Sequence, residues 1–247
     1  MRNLRMTLSY DGTDFQGWQT QPGYRTVQET FEAAVAAITQ EKRVRANASG
    51  RTDAGVHALG QVVNLYSNSK LSCSVLVRAG NAKLPEDVAL LACDEVPQSF
   101  CAIKEAVRKT YRYVIYDKRT HDPFLRRYAA HCVSPLDVPA MERAARCLIG
   151  RHDFRSFETN WPNRLTSIRT VSHVSVKRVE EAVWIEVEAD GFLYNMVRTI
   201  AGSLMQVGRG VWAESKLDEV LKAKDRVVAG PTAPPEGLYL LHVDYGS

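Results

Sequence analysis

Apolar and polar positions alternate from the first residues of the chain. Leu4, Met6, Leu8 and Tyr10 are separated by polar side chains, the period of a half-buried strand. A glycine-containing segment follows, and Thr26 with Glu29 three positions later has the form of a capping box. Val27, Phe31, Ala34, Val35 and Ile38 then recur at helical spacing. Alternation returns over Val44, Ala46 and Ala48 and again around Val62 to Tyr66. A short helix is predicted from Ser72 towards Lys83, stopped by Pro85, and Val88 to Val96 reads as a strand. The first hundred residues therefore spell β-α-β-β-α-β.

The second part of the chain repeats this order. Thr110 to Tyr116 is rich in aromatic and β-branched residues and reads as a strand. Asp137 is placed to cap a helix through Met141, Ala144, Ala145 and Leu148, with Gly150 closing it. Val171 to Arg178 and Val183 to Ala189 form a predicted hairpin. Asn195 then caps a helix carrying Val197, Ile200, Leu204 and Val207, an extra helix starts at Ser215, and Leu238 to Tyr245 is the closing strand. Both parts have the ferredoxin-like order. The predicted class is α+β: two ferredoxin-like halves, 1–103 and 104–247, forming one extended, mostly antiparallel eight-stranded sheet with helices on one face. Pro231 to Gly237 is expected to be a stiff loop.

Composition adds limits to this picture. The longest apolar runs, such as Ala33 to Ile38, are six residues, whereas a spanning helix needs roughly 20. No membrane segment is expected, and with no apolar leader pattern after Met1 the expected compartment is the cytoplasm. Five scattered cysteines contain no C-x-x-C pair, so they read as reduced thiols rather than disulfides or zinc ligands. The net charge is +4, but Lys104 to Arg127 holds eight basic and three acidic residues. That stretch points to a polyanionic partner, although a solvated charged face has the same composition.

Three segments carry candidate chemistry. In Gly50-Arg-Thr-Asp-Ala-Gly-Val-His-Ala58, Asp53 projects from a loop between two strands, and Arg51, two positions away, falls on the same side of an extended backbone. Arg51 there either holds the carboxylate ionised or binds a phosphate. An Asp between glycines is also an ordinary turn former. In Lys109-Thr-Tyr-Arg-Tyr113, Tyr111 and Tyr113 share one face and suit base stacking with cations nearby, or simply core packing. In Gly191-Phe-Leu-Tyr-Asn-Met-Val-Arg198, an arginine near a helix N-terminus opposes the helix dipole, so Arg198 is expected to meet a carboxylate or phosphate. His152 and Asp153 are too few for a metal site. No phosphate-binding loop, dinucleotide fingerprint, zinc-protease helix or serine-hydrolase elbow is present, so any enzyme here is expected to need neither metal nor cofactor, with Asp53 its best reactive group.

Together with Tyr10-Asp-Gly-Thr-Asp-Phe-Gln-Gly-Trp-Gln19 and Ala233-Pro-Pro-Glu-Gly-Leu-Tyr-Leu240, these stretches resemble the bacterial tRNA pseudouridine synthase A family over essentially the whole chain. The resemblance implies the pseudouridine synthase fold, a homodimer, no cofactor, and isomerisation of uridine to pseudouridine at positions 38, 39 and 40 in the tRNA anticodon arm. It assigns Asp53 as nucleophile, Arg198 as its ion-pair partner, Tyr111 as the surface stacking on the target uracil, Arg51 as the occupant of the flipped nucleotide's space, and Leu240 as an apolar wall opposite Tyr111.

The chemistry suits the missing cofactor motifs: the N1–C1′ bond breaks, the uracil turns, and C5 joins C1′ without redox change. One carboxylate suffices, whether it attacks C1′ or C6 or takes the C2′ proton. The base must leave its stack to be reached. Two segments depart from the family pattern. Cys101-Ala102-Ile103 replaces His-Ala-Arg, leaving Lys104 or Arg108 to supply that cation, and Glu158 to Thr166 differs as well. A non-catalytic RNA-binding or tRNA-folding module is one alternative. A glycosidic-bond hydrolase is another, and it lacks the second carboxylate such chemistry uses. The synthase reading is favoured.

Overall fold

The computed structural model describes residues 1–159 and 166–246, which hold ten strands and five α-helices. They fall into two compact units: Met1–Val107 with the C-terminal stretch from Tyr239, and Arg108–Leu238. The closing strand, last in sequence order, is thus grouped from Tyr239 on with the first unit.

The first unit runs β1 (Arg2–Tyr10), α1 (Val27–Thr39), β2 (Ala46–Ala48), β3 (His57–Ser67), α2 (Cys73–Asn81) and β4 (Val88–Val96). β1 is central, antiparallel to both β3 and β4, and β2 is antiparallel to β3. This is the ferredoxin-like arrangement expected from the alternation. The closing strand, β10 (Leu238–Asp244), runs parallel to β3, with Tyr239 opposite His57 and Leu240 opposite Ala58. Leu4, Met6 and Leu8 are fully buried beside Phe31, Leu65 and Leu76, so the period-two pattern of β1 is its core face.

The second unit contains β5 (Arg108–Tyr116), β6 (Ala130–His131), α3 (Val138–Ala145), β7 (Gly150–Asp153), β8 (Ile168–Val179), β9 (Ala182–Ala189), α4 (Met196–Gly208) and α5 (Lys216–Ala223). β5, β9, β8 and β7 are joined in that order by antiparallel ladders, and β6 adds to β5 in parallel. The short β6 and β7 raise the strand count above the expected eight. Two and four residues are too few for alternation to register. Gly150, expected to close α3, instead opens β7 with φ +113°, because a 3-10 turn over Arg146–Leu148 already ends that helix.

Helix starts follow the sequence only in part. Ser72 and Asp137 cap α2 and α3 by accepting from the N–H groups of Val75 and Ala140. Thr26 sits at the N-cap of α1 but makes no side-chain cap bond. The carbonyls of Gly17 and Trp18 instead accept from the first two N–H groups of the helix, those of Val27 and Gln28, at 3.2 and 3.0 Å.

One ion pair anchors the second unit. Asp117, just past β5, is buried; it accepts two hydrogen bonds from Arg178 on β8 at 2.8 and 2.6 Å and another from the Leu136 N–H. Burial pushes its carboxyl up, but these donors outweigh it and hold the group below the usual carboxylate range. A carboxyl lowered by folding stabilises above its unfolded pKa, and that contribution disappears as pH falls through the folded value. Arg178→Met is expected to cost about 2 kcal/mol near neutral pH, less than a fully buried pair because the arginine is partly solvated. Urea unfolding of both proteins should show that deficit shrinking as pH drops below about 4.

Candidate active site

The Asp53 segment is built by close backbone approach within the first unit. Asp53 and Val56 close a turn through the Val56 N–H to the Asp53 carbonyl at 3.1 Å, with Gly55 at φ +76°. A positive φ at the third turn position, with Ala54 at negative φ, is the type II pattern and explains the glycine. Thr52 points inward to the Tyr10 hydroxyl at 2.8 Å, while Arg51 is exposed and Asp53 half-buried. Gln61 donates to the Gly50 carbonyl at 2.8 Å and accepts from Ser49 at 2.8 Å, which fixes the start of the loop. Burial pushes the Tyr10 phenol up to about 12, against the lowering effect of its contacts with Thr52 and Gln61, so it remains protonated.

The connection between β1 and α1 grips this turn from outside. Trp18 donates its N–H to the Thr52 carbonyl at 3.0 Å, and Gly55 donates to the Phe15 carbonyl at 3.3 Å. Gly12 donates to His57 Nδ1 at 3.0 Å, and the His57 ring stacks on Tyr239 with centroids 4.7 Å apart. A Cβ on Gly12 would lie 2.0 Å from the Val56 carbonyl oxygen, and one on Gly17 (φ +84°) would lie 2.7 Å from that of Thr52. Only glycine permits either approach. The residue pattern singled out Asp53 but not these two glycines; their signal was the pair of glycines five positions apart in Tyr10–Gln19. Leu240 is fully buried on β10, opposite Ala58, the second residue of β3.

Tyr111 and Arg198 belong to the second unit. Tyr111 on β5 is largely buried and meets Phe192 edge-on, with centroids 4.8 Å apart. Tyr113, on the same face, donates to the Pro234 carbonyl at 2.7 Å, and burial raises its phenol strongly. Lys109 begins this face, and its ammonium is lowered first by burial and then by the nearby charge of Arg169. Arg112 points the other way, bonded to Glu186 at 2.8 and 2.6 Å and lying 3.7 Å over the Trp184 ring.

The Arg198 guanidinium is oriented by two neutral acceptors, the Ala233 carbonyl at 2.7 Å and Asn195 Oδ1 at 2.9 Å. Asn195 is therefore not a side-chain cap: it sits at φ 61°, holds Arg198, and donates to Thr159 Oγ1 at 3.0 Å. The 231–237 loop is locked onto α4 by contact, since a Cβ on Gly202 would lie 1.8 Å from the Pro231 carbonyl oxygen.

So Asp53, Arg51 and Leu240 are brought into one unit, and Tyr111 and Arg198 into the other. Of the divergent segment Glu158 to Thr166, residues 160–165 lie outside the described residues. Its near end touches the Arg198 motif, with the Thr159 N–H on the Tyr194 carbonyl at 3.1 Å. In the other divergent segment Ala102 is fully buried, whereas Ile103 and Lys104 are exposed. Among the described residues no three His, Cys, Asp or Glu side chains gather as metal ligands, and no helix is long and apolar enough to cross a membrane.

Residues 6–104 and 144–246 match the family model described as tRNA pseudouridine synthase. The tRNA pseudouridine synthase A of Thermoanaerobacter sp. (strain X514) is 42% identical over 245 residues, covering 99% of this chain and 100% of that protein. The chain belongs to the tRNA pseudouridine synthase A family. Its Shouchella clausii relative of the same name is 43% identical over 246 residues, covering 100% of this chain and 94% of that protein. Among solved structures, the Cbf5-Nop10-Gar1 complex overlaps with a TM-score of 0.33 and 12% identity over 81% of this chain and 54% of that chain, too weak a likeness to bear on either fold or function. Membership makes the protein an isomerase that converts uridine to pseudouridine in tRNA.

Because the Asp53 turn is clamped by backbone, Gly12→Ala should displace Val56 and with it the carboxylate. The expected result is at least a tenfold loss of kcat, about 1.4 kcal/mol or more in the barrier, with tRNA affinity changed far less. Single-turnover and binding measurements on the same variant check it.

Proposed function

We propose that this enzyme isomerises uridines 38, 39 and 40 in the anticodon arm of tRNAs, with Asp53 as the nucleophile on a flipped-out uridine. The observation that carries this reading is the Asp53 turn itself, a half-buried carboxylate on a tight turn held from outside by Trp18, Gly12 and Gly17. A carboxylate delivered to a fixed position gains the proximity advantage that a bond-making step requires. The other roles follow the family resemblance: Arg198 as the cation serving that carboxylate, Tyr111 as the stacking surface for the uracil, Arg51 as occupant of the space the base leaves, and Leu240 as an apolar wall. The fixed guanidinium of Arg198 and the Tyr111–Phe192 pair suit these roles, since both are held by their surroundings before any RNA arrives. Arg51 is exposed and so open to RNA. The protein is proposed to work in the cytoplasm as a homodimer without a cofactor.

In the reaction the N1–C1′ bond breaks, the uracil rotates while held, and C5 bonds to C1′. The C5 hydrogen leaves as a proton and N1 gains one, so no oxidant or group donor enters. Asp53 acts at C1′, at C6 or on the C2′ proton, and the same release accompanies all three routes.

Release of tritium from tRNA labelled at uridine C5 reads this bond change. The unaltered protein is expected to release it, and Asp53→Asn to release none while still binding tRNA. Equal release by both proteins would remove Asp53 from its role. Binding without release by either would favour a non-catalytic RNA-binding module.

A further inference from the structure

The loop between β5 and β6 holds an apolar side chain out in water. Phe124 is 84% exposed, the ring of a large residue whose ordinary place is a core or an interface. This is not a loose segment. Asp122 accepts from the Phe124 N–H through its carboxylate at 2.8 Å and from the Leu125 N–H through its carbonyl at 3.2 Å. The Leu125 carbonyl then accepts from Tyr128 and Ala129 at 2.8 and 2.9 Å, completing a helical turn. Both ends of the loop are pinned beside β5: His131 Nε2 bonds the Lys118 carbonyl at 2.7 Å, and the buried Asp117–Arg178 pair fixes the point of departure. The fold therefore presents Phe124 outward in a set position.

Charge identifies what the ring meets. From Lys118 to Tyr128 there are four cations, Lys118, Arg119, Arg126 and Arg127, and one carboxylate. That carboxylate, Asp122, is engaged by the loop's own backbone. Arg119 and Arg126 are exposed on either side of Phe124, Arg126 braced by a bond to the Pro123 carbonyl at 2.6 Å. An exposed aromatic ring on a loop that also carries exposed guanidinium groups is the chemistry that stacks an unpaired base and holds its phosphates. A protein surface would need an apolar pocket ringed by acidic groups to match it.

We propose that this loop is a second tRNA contact, distinct from the uridine site, in which Phe124 stacks on an exposed base and Arg119 and Arg126 hold the adjoining phosphates. The inference rests on tRNA being the substrate. Tyr116, where β5 ends, lies five residues beyond Tyr111. At about 3.3 Å per strand residue that end of β5 is about 17 Å from Tyr111, and Phe124 stands on the loop that starts there rather than on the Tyr111 face. It would thus add affinity and register rather than chemistry.

Binding of a full-length tRNA transcript, measured at salt concentrations from about 50 to 200 mM, tests the proposal on the unaltered protein, Phe124→Ala, Phe124→Trp and Arg119→Ala/Arg126→Ala. Loss of the ring should weaken binding about tenfold, Phe124→Trp should restore it, and the double arginine variant should lower the salt slope by about 2. Thermal midpoints should not move, because the ring and both guanidinium groups lie in solvent. Unchanged affinity and slope would overturn the proposal while leaving the reading of tRNA as substrate intact. Affinity that falls only together with self-association, followed by light scattering, would overturn it in favour of a second copy as the occupant. Failure of the unaltered protein to bind tRNA would instead overturn the reading of tRNA as substrate, and the loop proposal with it.

Discussion

Two stretches of backbone touch where Gly12 and Gly17 lie against the turn that carries Asp53, and the first unit is arranged around that approach. Gly17 faces the carbonyl of Thr52 at a distance no side chain would allow, while the same residue's own carbonyl serves the first turn of α1. Trp18 does likewise, donating to Thr52 and accepting from Gln28. One short connection thereby ends β1, starts α1 and sets the Asp53 turn. A side chain placed by backbone hydrogen bonds and close contact has less freedom to lose than one on an open loop. That is the condition the role proposed for this carboxylate requires.

The second unit solves a similar problem with different means. Arg198 enters near the N-terminus of α4, where the helix dipole disfavours a cation. Its position is kept by Asn195 and by the Ala233 carbonyl, and the loop bearing Ala233 is pressed onto α4 at Gly202. The Tyr111 and Tyr113 face of β5 is similarly fixed, one ring edge-on to Phe192 and the other bonded to Pro234. The rings and the guanidinium are thus held by the fold itself, which keeps the ordering cost of the roles proposed for them low.

Much of this architecture was legible in the sequence because it follows from periodicity. The alternation of Leu4, Met6, Leu8 and Tyr10 is the buried face of β1, and the spacing of Val27, Phe31 and Val35 is the buried face of α1. What could not be read depends on contacts distant in the chain. Thr26 and Glu29 look like a capping box, but Thr26 makes no side-chain cap bond, and the first two helix N–H groups go to the carbonyls of Gly17 and Trp18. Asn195 has the composition of a cap and works as a brace for Arg198. The closing strand gives no sign in its own residues that it runs parallel to β3. At the site, Asp53 was visible as an acid between glycines, whereas the importance of Gly12 and Gly17 lies in residues forty positions away.

Native-state amide hydrogen exchange in the absence of RNA tests the central claim, that the Asp53 turn is built into the fold, most directly. The N–H groups of Trp18, Gly55 and Val56 should exchange as slowly as those in the middle of β3, since opening any of them requires parting the β1–α1 connection from the turn. Exchange at the rate of an open surface loop would contradict the account and leave the carboxylate to be positioned by the RNA.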